Sequence, residues 1–309
     1  MPIVVVGNVF VDIKGVPDNK YIPAGRNAGS VEIVHGGVGR NVVEDIANVE
    51  LRPRFVSMVD DTAEGAEVIR KLNNHKVDTR FVAQVPDGMG MWLAVFDTTG
   101  DIVSSISKRP RMDALLELLE EKGDEIFRDA DSIVVEIDME KDIIKTVLGY
   151  AEKYQKKVFA VVANMSIASL RRDFLQSIDC FVCNLQEAGI LFADDFETIS
   201  PEDLGPELVE RLRSARIPSM VVTMGSRGAV YADFEGSYGV CPANSVRVRD
   251  TTGAGDAFCA GVAIGLTYGK TMAESCDIGS RLASSVITIS ENTCPRFLPQ
   301  ELGLDVEVE

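Results

Sequence analysis

Short apolar runs and amphipathic stretches take turns along this chain, and that alternation limits its fold more than any other feature. "IVVVGN", "RFVSMV", "DSIVVEID", "KVFAVVAN", "IDCFVCN" and "IPSMVVTMG" are runs of strand length. Between them lie "MDALLELLEEKGDEIFRDA", "MEKDIIKTVLGYAEKYQ" and "PELVERLRSAR", with apolar residues at helical spacing. Continuous apolar strands need cover on both faces. The pattern therefore predicts an α/β fold: a doubly wound, mainly parallel sheet with helices on either side. In such sheets ligands bind beyond the carboxyl ends of the strands. Several runs end in polar residues, among them Asn8, Glu136, Asp138, Asn164, Asn184 and Thr223, which points to a shared cleft.

Two stretches break the alternation. Residues 80–107 read as three short strands with turns at "PDGMG" and "TTGD", and residues 12–34 are rich in turn formers. Together they are expected to form a small β appendage on one side of a single domain spanning 1–309. The first run, reaching Asp12 early and lacking a basic leader, reads as a buried strand rather than a signal peptide. No run of 18 apolar residues suggests a membrane span. The formal charge of −17 argues against nucleic-acid binding, yet leaves a local phosphate site open. Cys180, Cys183, Cys241, Cys259, Cys276 and Cys294 lie in apolar surroundings and read as reduced core thiols of a cytoplasmic protein. Cys180 and Cys183 form a C-x-x-C, but in a strand they point to opposite faces, so a zinc or redox site is disfavoured.

The chemistry concentrates in "RDTTGAGDAF", Arg249 to Phe258. The apolar, helically spaced "AFCAGVAIGLTYG" follows, so Gly253, Ala254 and Gly255 fall at a helix N-terminus. Unpaired N–H groups and the helix dipole there favour an anion, and small residues let it approach the backbone. A phosphate loop would normally carry a lysine, and here a carboxylate stands instead. If the loop holds a phosphoryl group, Asp256 beside it can accept the proton of an attacking hydroxyl. A capped helix after a turn is the plain alternative.

"DTTGAGDAF" resembles the signature of the ribokinase-like, or PfkB, carbohydrate kinases. "GNVFVD" at 7–12 and "GGVGRN" at 36–41 resemble that family's substrate-side motifs. "NLQE" at 184–187 resembles its N-x-x-E motif, and "TMGSRG" at 223–228 its T-x-G-x-x-G. These fall in the family's order across nearly the whole chain. The resemblance implies ATP-dependent phosphoryl transfer to a sugar or nucleoside hydroxyl, a ribokinase-like fold, and a β-sheet lid made of the two irregular stretches. It implies Asp256 as catalytic base with Gly253, Ala254 and Gly255 as anion hole, and Asp12, Asn41, Gly36 and Gly37 at the acceptor. Asn184 and Glu187 would organise Mg²⁺ and phosphates, Thr223, Gly225 and Gly228 would border ATP, and Asp250 and Thr252 would face a monovalent cation such as K⁺. A homodimer through the lid is a further implication.

Glu136 and Asn164, at strand ends, are additional acceptor candidates, and a carboxylate on an apolar strand such as Glu136 needs a partner or a ligand. The C-terminal "ENTCPRFL" departs from the family's small-residue stretch, leaving Asn292 as a nucleotide candidate. Lys14, Arg26, Arg40 and Arg109 could meet a sugar phosphate, while Phe10, Tyr21, Trp92 and Phe96 could cover a nucleobase. "DIKG", "GRNAG" and "GGVGRN" look most similar to the pseudouridine-kinase branch. The acceptor ranking is pseudouridine or another nucleoside, then a free pentose or hexose, then a sugar phosphate. A catalytically inactive nucleoside-binding protein is the alternative from another class.

Overall fold

The apolar runs do become central strands. A computed structural model describes residues 2–99 and 101–306. Its strands are β1 (Ile3–Val6), β2 (Phe10–Pro17), β3 (Gly29–Gly36), β4 (Arg54–Val59), β5 (Asp78–Gln84), β6 (Gly90–Phe96), β7 (Ile102–Lys108), β8 (Ser132–Glu136), β9 (Lys157–Val161), β10 (Cys180–Asn184), β11 (Ser219–Thr223), β12 (Ala229–Asp233) and β13 (Tyr238–Cys241). Its α-helices are α1 (Val38–Asn48), α2 (Ala63–Asn74), α3 (Asp113–Phe127), α4 (Lys141–Tyr154), α5 (Met165–Ala168), α6 (Arg172–Leu175), α7 (Leu185–Phe192), α8 (Pro201–Ala215), α9 (Ala254–Thr267) and α10 (Met272–Val286).

Among the described residues, nine strands form one sheet in the order β13-β12-β11-β10-β9-β8-β1-β4-β5. The pairs from β11 through to β5 are parallel, and β12 and β13 close one edge antiparallel. Period-two alternation sends Val4 and Val6 into one core with α3, α4 and α8. It sends Ile3 and Val5 into the other, with α1, α9 and α10. Cys183 and Cys180 divide between the same two cores, as their spacing requires. The resulting architecture is the doubly wound sheet expected. The β12–β13 hairpin was not legible in the apolar pattern.

A second sheet, β3-β2-β6-β7, stands apart. It takes in the irregular stretch at 12–34 and extends it to 10–36. The expected segment 80–107 divides instead. β5 pairs with β4 in the large sheet, where Phe81 enters the core, and only β6 and β7, residues 90–108, join the small sheet.

Register fixes the two faces of the small sheet. Ile33, Ile13, Leu93 and Ile106 form one row across its four strands, and Val34, Asp12, Trp92 and Ser107 form the next, on the opposite face. The isoleucine row is largely open to solvent, with Ile33 63% and Ile106 67% exposed.

Two glycines set the position of α9. A Cβ on Gly261 would collide with the Gly279 backbone of α10, and one on Gly265 with Ser275. The two helices therefore pack at close range. No described helix is long and apolar enough to cross a membrane.

Candidate active site

The glycine loop stands at a helix start, where the sequence puts it. Gly253 is the N-cap of α9 at φ 81°, a backbone region open to glycine at little cost. A Cβ there would also collide with the Asn292 carbonyl. Ala254, Gly255 and Asp256 are the first helical residues, so the N–H groups of Gly255 and Asp256 lack carbonyl partners inside the helix. Asp250 Oδ1 accepts both the N–H and the hydroxyl of Thr252, at 2.9 and 2.8 Å, and so shapes the turn before the loop. Burial alone would raise the Asp250 carboxyl, but these bonds and the Lys14 charge hold it below its usual range.

Asp256 is enclosed by protein on most sides and keeps a partly accessible face. Burial pushes its carboxyl up to about 6, against the Asn41 hydrogen bond and the Arg40 charge, while the charges of Glu187 and Asp12 add to the rise. Carboxylates from three distant segments thus act on one another at this point. A carboxylate poised near neutrality beside free helix N–H groups can take a proton from a hydroxyl while charge builds on a neighbouring anion.

On the small-sheet side, the Asp12 carboxylate lies against Gly36, where any Cβ would collide with it. Burial raises the Asp12 carboxyl, and Lys14 and Arg40 offset part of the rise. Gly37, at φ 100°, caps α1 and lies against the Asn8 carbonyl. Lys14, two residues after Asp12, is on the same sheet face and close enough to act on both Asp12 and Asp250. Trp92, directly opposite Asp12 in the register, presents its half-buried ring on that face, edge-on to Phe96 at 6.3 Å between centroids.

Thr223, Gly225, Gly228, Ala254, Gly255 and Phe258 line one cavity of ≈460 Å³. Its remaining walls include Val246, Val248, Ala283 and Ile287, giving an apolar chamber of ligand size with the glycine loop at one end. A comparable cavity of ≈570 Å³ beside residues 185–197 is lined by Asp194, Asp195 and Glu197 and by none of the glycine loops. Asn184 and Glu187 make a reciprocal capping box at the start of α7, each backbone N–H bonded to the other's side chain at 2.8 Å. Burial raises the Glu187 carboxyl against the Asn184 hydrogen bond.

Four expectations change. Glu136 is buried and accepts from Asn8 N at 2.9 Å, Asn8 Nδ2 at 2.8 Å and Gly39 N at 3.3 Å. It ties β1 to the start of α1 and offers no face to an acceptor. Burial, with the nearby Asp138 charge, pushes it up to about 7. Asn41 is buried and aims Nδ2 at Asp256 Oδ2, 2.6 Å away, rather than at the open cleft. Asn292 does not line the ≈460 Å³ cavity, whose wall comes from 243–248 and α10. It is buried, and its Nδ2 holds the His35 carbonyl of β3 at 3.0 Å. Arg40 is sealed inside the protein, with Nη1 2.8 Å from Glu44 Oε2, so it is not available to a sugar phosphate. Asn164 is exposed beyond β9, with its carbonyl accepting from Ile167 and Ala168.

One residue was read only as a polar strand end, and another was missed. Asp138, the strand end, is buried, accepts from Ala163 N at 2.9 Å and pairs with Arg109 at 3.3 Å. Asp45 lies one turn beyond Asn41 on α1, and its Oδ1 accepts from Cys294 N at 2.6 Å.

The pattern that matches this chain in comparison with known families is the pfkB family carbohydrate kinase, over residues 2–295. The guanosine-inosine kinase of Exiguobacterium acetylicum is 33% identical over 292 residues, covering 94% of this chain and 95% of that protein. The pseudouridine kinase of Escherichia coli K12 is 25% identical over 95% of this chain and 92% of its own length. Arabidopsis thaliana ribokinase, solved with ribose and ATP, superposes with a TM-score of 0.80 at 21% identity, over 97% of this chain and 98% of that one, a likeness of fold. With its motifs in place and the match running almost end to end, the chain belongs to the pfkB family of carbohydrate kinases, phosphotransferases that act on an alcohol group.

Proposed function

We propose that this protein transfers the γ-phosphoryl group of ATP to a hydroxyl of a nucleoside, with a purine nucleoside first and pseudouridine second. The observation that carries the reading is the pairing of Asp12 with Trp92 across β2 and β6, on the sheet face turned to Asp256. A carboxylate able to accept sugar hydroxyls sits beside an aromatic face able to cover a base. The 33% identity to a guanosine-inosine kinase supports the purine preference, and the pseudouridine kinase at 25% the second choice. A sugar-phosphate acceptor ranks lower because Arg40, the basic residue of the substrate-side motif, is sealed against Glu44.

In this reading Asp256 takes the proton from the attacking hydroxyl, and the loop of Gly253, Ala254 and Gly255 turns the free N–H groups of Gly255 and Asp256 to the transferring phosphoryl. Asp12 holds the acceptor, and Gly36 leaves room for that carboxylate to swing to it. Thr223, Gly225 and Gly228 border ATP, with the adenine between Val246, Val248 and Ile287. The half-buried Glu187 carboxylate, whose charge is costly where it stands, suits Mg²⁺ held through water, and Asn184 keeps it in place. Mg²⁺, when bound, neutralises phosphate charge. Thr252 spends its proton on Asp250, which leaves oxygen lone pairs of both residues for a monovalent cation. The small sheet acts as the lid over the acceptor, its isoleucine row is the contact of a homodimer, and the protein works in the cytoplasm.

The test is ATP-dependent phosphorylation across guanosine, inosine, pseudouridine, adenosine, ribose, fructose and their monophosphates. Highest kcat/KM on a nucleoside supports the reading. Highest kcat/KM on free ribose or fructose overturns the nucleoside assignment. No turnover with any acceptor, together with nucleoside binding, turns it into a binding protein.

A further inference from the structure

One buried asparagine stands between a buried carboxylate and a partly accessible one. Asn41 Nδ2 donates to Asp256 Oδ2 at 2.6 Å. Its other amide atom, Oδ1, is sealed from solvent and has no hydrogen-bond partner. Asp45 is on the next turn of α1, so the two side chains are neighbours on one helix face. Asp45 Oδ1 accepts from Cys294 N, and its Oδ2 is likewise sealed and without a partner. Two orphan acceptors lie one turn apart, while the other buried side-chain polar atoms of the described residues are satisfied. An amide offers N–H on one side only and a carbonyl on the other. An asparagine that bridges two carboxyl groups can therefore satisfy both only if one of them carries a proton.

We propose that Asp45 is a positioning residue: it stands protonated in the working enzyme, and its O–H donates to Asn41 Oδ1, which fixes the amide with Nδ2 toward Asp256. One proton satisfies both orphan atoms. The alternative amide orientation would set a carbonyl oxygen against Asp256, which as a base must be ionised. The ionisable groups facing Asp45 agree with this placing. Glu44 lies on its own helix, Asp256 and Cys259 on α9, and Cys294 on the C-terminal loop, while Arg40 is engaged with Glu44. Burial holds the Asp45 carboxyl well above its usual range, against the hydrogen bonds from Cys294, and the Asp256 and Glu44 charges raise it further. Asp256, with a partly accessible face, rises less, so the proton resides on Asp45.

The catalytic part of this proposal rests on Asp256 acting as the base; the proton on Asp45 does not. Asp45→Ala should lower kcat about tenfold, the equivalent of one lost neutral hydrogen bond, with KM for ATP unchanged. Asp45→Asn, which offers an N–H to Asn41 and a carbonyl to Cys294, should recover most of that loss. It should also keep activity at alkaline pH, where the wild type falls off as Asp45 ionises. An Asn variant as slow as the Ala variant would overturn the proposal, as would an Ala variant with wild-type kcat. Should Asp45→Ala not fold, infrared spectroscopy of the wild type at pH 8 decides. A protonated-carboxyl carbonyl band that is lost in Asp45→Asn supports the proposal, and absence of the band sinks it. If Asp256→Asn stays active, the base assignment fails while the band still reports the proton.

Discussion

The two sheets of this molecule are built to opposite rules. In the large sheet β4 and β8 are buried at every position, whereas every residue of β7 in the small sheet is exposed. Each sheet nevertheless delivers one carboxylate to the same cleft. Asp256 comes from a helix packed against the large sheet, and Asp12 from a strand of the small one. On the proposed roles, the fully covered sheet carries the base, and the thin sheet carries the group that holds the acceptor. Burial separates these tasks, because a strand covered on both faces opens only with the whole domain, while an uncovered one opens locally at low free-energy cost.

The sharpest way to break this division is at the two carboxylates. Asp256→Asn should lower kcat about 10²–10⁴-fold and leave acceptor affinity nearly intact. Asp12→Asn should act chiefly on acceptor KM. Steady-state kinetics with the preferred acceptor separates the two, and a pair of variants with the same kcat and KM changes would dissolve the contrast. Because the base must be ionised, the wild-type kcat/KM should rise with pH through about 6. The same group affects stability in the other direction. Its carboxyl is raised in the folded state, so its contribution is complete below the ordinary value of 3.8 and is lost as pH rises through about 6. Asp256→Asn should remove that part of the pH dependence of Tm.

Packing gives the next effect. Phe55→Ala in β4, at a fully buried site, should cost about 3–5 kcal/mol in urea unfolding. Ile106→Ser in β7 should change stability by no more than about 0.5 kcal/mol, yet shift a dimer toward monomer in sedimentation. A large loss of monomer stability from the surface change would show that the small sheet has a core of its own. The smallest effect is in dynamics. Amides of 10–17, 29–36 and 90–108 should exchange faster than those of β1 and β8 and slow together when nucleoside is bound. Protection confined to 250–258 would mean that no lid closes.

How much of this could be read in advance followed the same division. The central strands were legible because a continuous apolar run has few other fates. β5 was assigned to the wrong sheet because its Phe81 alone is buried among half-exposed neighbours, a pattern shared with β2 and β6. The β12–β13 hairpin mixes polar and apolar residues at a sheet edge and gave no run to find. Motif order placed Asp256, Asp12 and the ATP-side glycines around the cleft. Glu136 was misread for a physical reason: its need for partners was visible, but those partners, Asn8 and Gly39, lie 128 and 97 residues away. Asn41 and Asn292 likewise owe their roles to contacts with α9 and β3 that no local spacing encodes.

The glycine crossing of α9 over α10 sets a boundary on how this enzyme can diversify. A single methyl group at Gly261 would push the two helices apart and tilt the glycine loop with them, so the end that carries Asp256 has almost no freedom to drift. Trp92, Val34 and Ser107, on a sheet with little packed against it, can be exchanged without touching that crossing. Attempts to give this scaffold a new acceptor should therefore randomise the inner face of the small sheet and leave the helix pair untouched.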